Sequence, residues 1–132
     1  MLQRQDQPGI STSGINTGAA LRGFFEIIGA WGIGMEDARA LLGLPAERTF
    51  YAWRAGNAVR VSNDTLRRIG YVAGIYKALE LLYSDGHLAD GWVKRPNLAF
   101  GGQTPLQRMR AGDVTDLAAV RSYLDAARAP WS

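Results

Sequence analysis

His87 is the residue best suited to proton or metal chemistry near neutral pH, and Asp85 and Asp90 stand close to it. That trio does not make a metal centre, because no second histidine and no cysteine adds nitrogen or sulfur ligands. A lone loop histidine beside aspartates reads more simply as a solvated side chain or part of a helix cap. Glu80 and Lys77 share a helix as an ordinary surface pair. Gly101-Gly102 lacks the Gly-Lys-Ser/Thr continuation of a nucleotide phosphate loop, so it reads as a turn. No carboxylate pair, nucleophile elbow or metal cluster appears, so no enzyme and no cofactor is expected.

The arginines offer a different chemistry, recognition of anions. The net charge of +3 is unevenly spread. Residues 44–70 hold five arginines against Glu47 and Asp64, and residues 92–110 hold Lys94, Arg95, Arg108 and Arg110 with no acid. Each zone is either a solvated face or a surface for an acidic partner. Running into the first zone, the segment EDARALLGLPAERTFYAWR, residues 36–54, reads as two short helices joined through Gly43. A helix–turn–helix needs that compact joint so that its second helix can enter a major groove. Arg48 could then read a guanine edge, with Thr49 and Tyr51 beside it, while Arg54, Arg60, Arg67 and Arg68 hold phosphates. The same pattern also serves helix pairs that never touch DNA, and Glu47 would repel a phosphate.

The elements that must position these residues are helices. Leu21, Phe24, Phe25, Ile28 and Trp31 recur at three- and four-residue steps and predict a helix from Ala19. A second helix fits residues 36–42, with Ala38, Leu41 and Leu42 inward and Gly43 as its stop. Pro45 can open a third, running to Arg54 with Phe50 and Trp53 inward. Ser62 caps a long fourth helix over residues 62–84, in which Leu66, Ile69, Ala73, Tyr76, Leu79 and Tyr83 keep period beside Val72, Ile75 and Leu82. Residues 87–103 read as a loop with one short helical turn. Thr104-Pro105 starts a short helix that stops at Gly112, and a last helix over residues 114–127 turns Val114, Leu117, Val120, Arg121 and Leu124 inward. The chain is therefore expected to be all α. Residues 1–18 are polar and read as a flexible tail, with no apolar run of a signal peptide or membrane span. The absence of cysteine fits a reducing compartment, and a cytoplasmic bacterial protein is expected.

The stretch GWVKRPNLAFGGQTPL, residues 91–106, carries more information than any of these patterns. Trp92, then Asn97, Phe100-Gly101-Gly102, Thr104-Pro105-Leu106 and a break at Gly112 resemble the toxin-binding domain of Xre/MbcA/ParS antitoxins. The resemblance extends over the helix–turn–helix and the fourth helix, about residues 19–129. It departs at Leu98, where the family usually has proline, and at the end DAARAPWS, which lacks a glycine-containing tail.

The resemblance implies an Xre-like helix–turn–helix bundle, residues 19–70, joined by the long central helix to a small toxin-binding and dimerising domain, residues 71–132. It implies a type II toxin–antitoxin pair in which a RES-domain toxin, degrading NAD or transferring its ADP-ribose, is blocked at its NAD-binding site. Operator DNA, bound through Arg48, Thr49, Tyr51, Arg54 and Arg60, and a homodimer or higher oligomer are the further partners; no membrane is expected. The toxin-binding residues expected on this basis are Trp92, Lys94, Arg95, Asn97, Phe100, Gly101, Gly102, Thr104, Pro105, Leu106, Arg108, Arg121, Leu124, Arg128 and Trp131. Arg128 and Trp131, near the chain end, are placed to reach into a pocket. The competing reading is a stand-alone helix–turn–helix regulator whose C-terminal half only dimerises.

Overall fold

A computed structural model of the protein describes residues 6–57 and 60–129, with side chains from residue 17 onward. The described residues form helices and connecting turns, with no strand among them. Residues 1–5 of the expected tail, and Pro130, Trp131 and Ser132 of the expected plug, lie outside them.

Helix α1, Asp6–Trp31, begins ahead of the start expected at Ala19. Pro8 lies in its first turn, where a missing N–H costs nothing because those donors have no intrahelical partner. Its expected stripe is buried, except that Phe25 is only half-buried, and Ile27 joins it. Helix α2, Met35–Leu41, turns Ala38 and Leu41 into the core. Helix α3, Glu47–Arg54, starts later than expected. Pro45 stays outside it because its carbonyl accepts a 2.6 Å hydrogen bond from Arg39 Nε, while Ala46 is extended at φ −54° and ψ 142°.

Helix α4, Asn63–Leu82, is capped as expected, the Ser62 hydroxyl accepting from the Thr65 N–H. Its buried line runs through Ile69, Val72, Ile75 and Leu79, whereas Ala73 and Leu82 face solvent and Leu66, Tyr76 and Tyr83 are half-buried. The line shifts from the expected stripe because α4 is packed from two sides, by α1 and α7. Helix α5, Gly86–Gly91, and a 3₁₀ turn, Trp92–Lys94, occupy much of what reads as loop. The Asp85 carboxylate caps α5 through the His87 and Leu88 N–H groups, and burial of Ala89, Trp92 and Val93 holds the segment down.

A second 3₁₀ turn, Leu98–Phe100, precedes α6, Pro105–Met109, and α7, Val114–Arg128. Helix α7 lies along α4 and α6 packs on α7, while α3 and α5 reach α1. Phe24, Trp31, Phe50, Ile75, Met109 and Leu117 belong to one continuous core. The two halves of the described chain thus share their apolar interior through α4. Arg110 of the α6 end ties back to Asp37 of α2 at 3.2 Å. No helix among the described residues is long and apolar enough to cross a membrane.

Candidate functional site

The first candidate surface is built on the α2–α3 joint. The Gly43 N–H donates to Ala40 O at 3.0 Å and the Leu44 N–H to Arg39 O at 3.0 Å. Closing the turn this way requires positive φ at both residues, +86° at Gly43 and +59° at Leu44. Glycine adopts that region freely and leucine at a cost, so tertiary packing must hold the turn.

Arg68 of α4 supplies part of that packing. It is only 7% exposed, and its Nε donates to Asp64 Oδ2 at 2.8 Å. Its guanidinium lies against Gly43, where a Cβ would meet Cζ and Nε at 3.0 Å. One of its two terminal nitrogens, Nη1, is buried with no hydrogen-bond partner among the described residues. Arg68, expected to hold a DNA phosphate, is therefore an internal brace beneath the joint.

Phe50 and Trp53 anchor α3 in the core, Phe50 meeting the Phe25 ring edge-on at 5.5 Å. At about 100° per residue, Arg48 then points away from that pair. Tyr51 stands beside it, and Thr49 and Arg54 occupy the two flanks; all four side chains are solvent-exposed. Arg60 is exposed in the connection to α4. Arg48 and Tyr51 thus put a hydrogen-bond donor and an aromatic ring on the outer face of α3, with Thr49 and Arg54 at its edges, a shape a major groove admits.

The second candidate surface is the loop between Asn97 and Thr104. Asn97 is its hub: its N–H donates to Gln103 O at 2.9 Å, and its carbonyl accepts from the Phe100 and Gly102 N–H groups at 3.0 Å each. Its side-chain Oδ1 accepts from the Ala99 N–H at 2.9 Å. Gly101 and Gly102, at φ +67° and +85°, let the chain reverse inside this bracket. The loop runs directly into a reciprocal capping box. Thr104 Oγ1 accepts from the Gln107 N–H at 3.0 Å, and Gln107 Oε1 accepts from the Thr104 N–H at 2.8 Å. The turn into a Thr104-Pro105 helix read from the sequence is present.

The expected partner-binding residues fall into three groups in space. Trp92, Pro105, Leu106 and Leu124 are buried and build the core beneath the loop, while Asn97, Gly101, Gly102 and Thr104 shape the loop itself. Lys94 and Arg95 are exposed nearby, Lys94 Nζ donating to Gly32 O at 3.4 Å and Arg95 Nη2 to Leu88 O at 2.8 Å. Arg121 and Arg128 lie elsewhere, both paired with Asp125 and with the Arg121 guanidinium resting on Gly74 of α4. The stretch 92–110 is acid-free in sequence but not in space. Arg108 pairs with Asp116 at 2.9 Å and Arg110 with Asp37, which leaves Lys94 and Arg95 as its outward charges.

Two residues outside the expected set join this surface. Tyr123 of α7 stacks on Trp92, with ring centroids 6.1 Å apart, and Phe100 meets Tyr123 edge-on at 5.4 Å. Leu98 stands at the loop tip, 92% exposed. Its place where the resembled motif has proline was the available sign. Tyr123 left none, because it sits two residues from Arg121, about 160° around the helix from it, on the opposite side of the buried stripe.

Residues 12–74 match the antitoxin Xre-like helix-turn-helix domain, and residues 78–129 match the antitoxin Xre/MbcA/ParS C-terminal toxin-binding domain. The two matches meet within α4. The chain is 38% identical over 110 residues to the uncharacterized protein y4oB of Sinorhizobium fredii, covering 83% of this chain and 84% of that one. No solved structure matches the chain significantly.

Proposed function

This chain belongs to the Xre/MbcA/ParS-type antitoxins, and on that premise we propose that its C-terminal half blocks the NAD-binding active site of a RES-domain toxin. Its α3 face, in this reading, holds operator DNA and represses the shared operon. The observation that carries the proposal is the match of residues 78–129 to a toxin-binding domain on a fold that presents a rigid, hydrogen-bonded loop there. A stand-alone regulator has no use for that half beyond dimerisation.

Blocking is steric and electrostatic. Lys94 and Arg95, the outward cations next to the loop, draw the antitoxin toward an acidic rim and accelerate encounter. Arg128 and Trp131 are candidates for reaching into the pocket, with Trp131 outside the described residues. On the DNA side, Arg48 contacts bases while Arg54 and Arg60 hold phosphates. A homodimer supplies two α3 helices for two half-sites one helical turn apart.

Co-expression with the product of the adjoining gene, which this reading takes to be a RES-domain toxin, tests the toxin arm. Growth and cellular NAD should be restored, and the two proteins should co-elute in gel filtration; continued NAD loss with no complex would refute the reading. A mobility shift of upstream DNA tests the other arm, with affinity falling as salt rises. Arg54→Ala should weaken binding to all sequences and reduce the salt slope by about one counterion.

A further inference from the structure

We propose that the toxin is held by a preorganised knob, Leu98 at the tip of the loop that carries Phe100 against the Tyr123 ring, that enters an apolar pocket with an acidic rim. The inference rests on the antitoxin reading and assigns its contact surface. A single exposed leucine is ordinary on a protein surface. Leu98 differs in how it is held. Asn97 accepts and donates the hydrogen bonds that close the loop, and Gly101 and Gly102 make the reversal inside them at positive φ. The leucine is therefore displayed on a frame already ordered before binding, so docking it costs little additional conformational entropy.

The base of the knob is also suited to an interface. Trp92 is buried and stacks on Tyr123, which is 39% exposed, while Phe100 lies half-buried between loop and helix. Rings that are partly covered and locked by neighbours are the usual composition of interface anchors. Lys94 and Arg95, exposed in the turn just before the loop, add positive charge next to this surface, so the fitting partner carries acidic groups beside an apolar centre.

The same charges argue against the other occupants. A two-fold contact between copies through this patch would gather two copies each of Lys94 and Arg95 at one interface and no acid from this stretch, because an isologous interface repeats one patch on both sides. A DNA backbone offers no apolar pocket for a leucine tip and partly buried rings. The toxin, which the family match already assigns to residues 78–129, is the occupant that satisfies both the apolar tip and the basic flank.

The test measures affinity of the full chain for its RES-domain toxin by titration calorimetry, with Leu98→Ala, Leu98→Asp and Leu44→Asp variants. Leu44 is an exposed leucine in the α2–α3 turn, outside residues 78–129, and is the control. Leu98→Ala should weaken binding roughly 30-fold or more, as expected of an interface anchor, and Leu98→Asp more strongly, while Leu44→Asp stays at parental affinity. All three should keep the parental circular dichroism and melting temperature, since the substituted side chains face solvent. Parental affinity in both Leu98 variants would overturn the knob while leaving the antitoxin reading in place. Absence of binding by the unmodified chain would overturn both. Conversion of a parental dimer to monomer by Leu98→Asp, with toxin binding intact, would assign the knob to self-association and overturn the proposal.

Discussion

Replacing Gly43 with alanine should destabilise the protein by about 2 kcal/mol, and two separable causes contribute. The first is conformational. At φ +86° an L side chain costs roughly 1–2 kcal/mol relative to glycine. The smaller entropy of the unfolded alanine chain offsets roughly 0.4–1 kcal/mol of that. The second is steric, because the new Cβ lies 3.0 Å from Arg68 Cζ and Nε. Arg68 is buried and tied to Asp64 at 2.8 Å, so it cannot swing out as a surface arginine does. Gly23→Ala is the matched control. That glycine lies inside α1, and a methyl group there would meet nothing within 4 Å, so alanine should gain about 0.5–1 kcal/mol of helix stability. Thermal unfolding followed by far-UV circular dichroism should show Gly43→Ala melting roughly 6–10 °C below the parent and Gly23→Ala a few degrees above it. In the double variant Gly43→Ala/Arg68→Ala, the combined loss should be smaller than the sum of the singles, because removing Arg68 removes the clash. A Gly43→Ala melting point at or above the parent's would refute the account of the turn. Strict additivity in the double variant would remove Arg68 from it.

Thr104→Ala removes one arm of the capping box and should cost about 1 kcal/mol in urea unfolding without changing the slope of the transition. Trp92→Ala should cost about 3–5 kcal/mol, since a nearly buried indole leaves a cavity under Phe100 and Tyr123, and the near-UV circular dichroism of the aromatic cluster should fall with it. Burial foremost, then the hydrogen bond and charge of Glu80 and the charge of Asp90, raise the Tyr76 phenol above its ordinary value of 10.0. The folded chain thus holds that proton more tightly than the unfolded chain. Stability should be full below pH 10.0 and decline as pH rises past it, and Tyr76→Phe should flatten that alkaline decline in pH-dependent melting curves.

Much of the local architecture was legible in the residues. The Ser62 cap, the Thr104-Pro105 start and the Gly43 stop were readable because each rests on hydrogen bonds or a dihedral preference spanning only a few residues. Helix α5 was readable only as one short turn within a loop, since Ala89, Trp92 and Val93 show their common inner face only once the rest of the core is assembled. Pro45 looked like a first helical residue, yet the Arg39 side chain keeps it outside α3. Arg68 looked like a surface cation because its period on α4 shares an edge with exposed residues, and only the approach of the α2–α3 turn encloses it.

By itself, the sequence determined an all-α chain, the caps and glycine reversals that divide it, and the motif that carries the family resemblance. Those properties depend on short-range hydrogen bonding, backbone preference and hydrophobic period. Tertiary structure alone decided which groups remain available to a partner. Arg108 and Arg110 look free in an acid-free stretch, but Asp116 and Asp37 reach them from other elements. Trp92 looks like a contact residue and is core, whereas Leu98, set in a departure from the resembled motif, stands in solvent on a closed frame. Burial and ion pairing between distant segments are set by how helices pack, and a linear pattern records only the faces that pack, not the neighbours they meet.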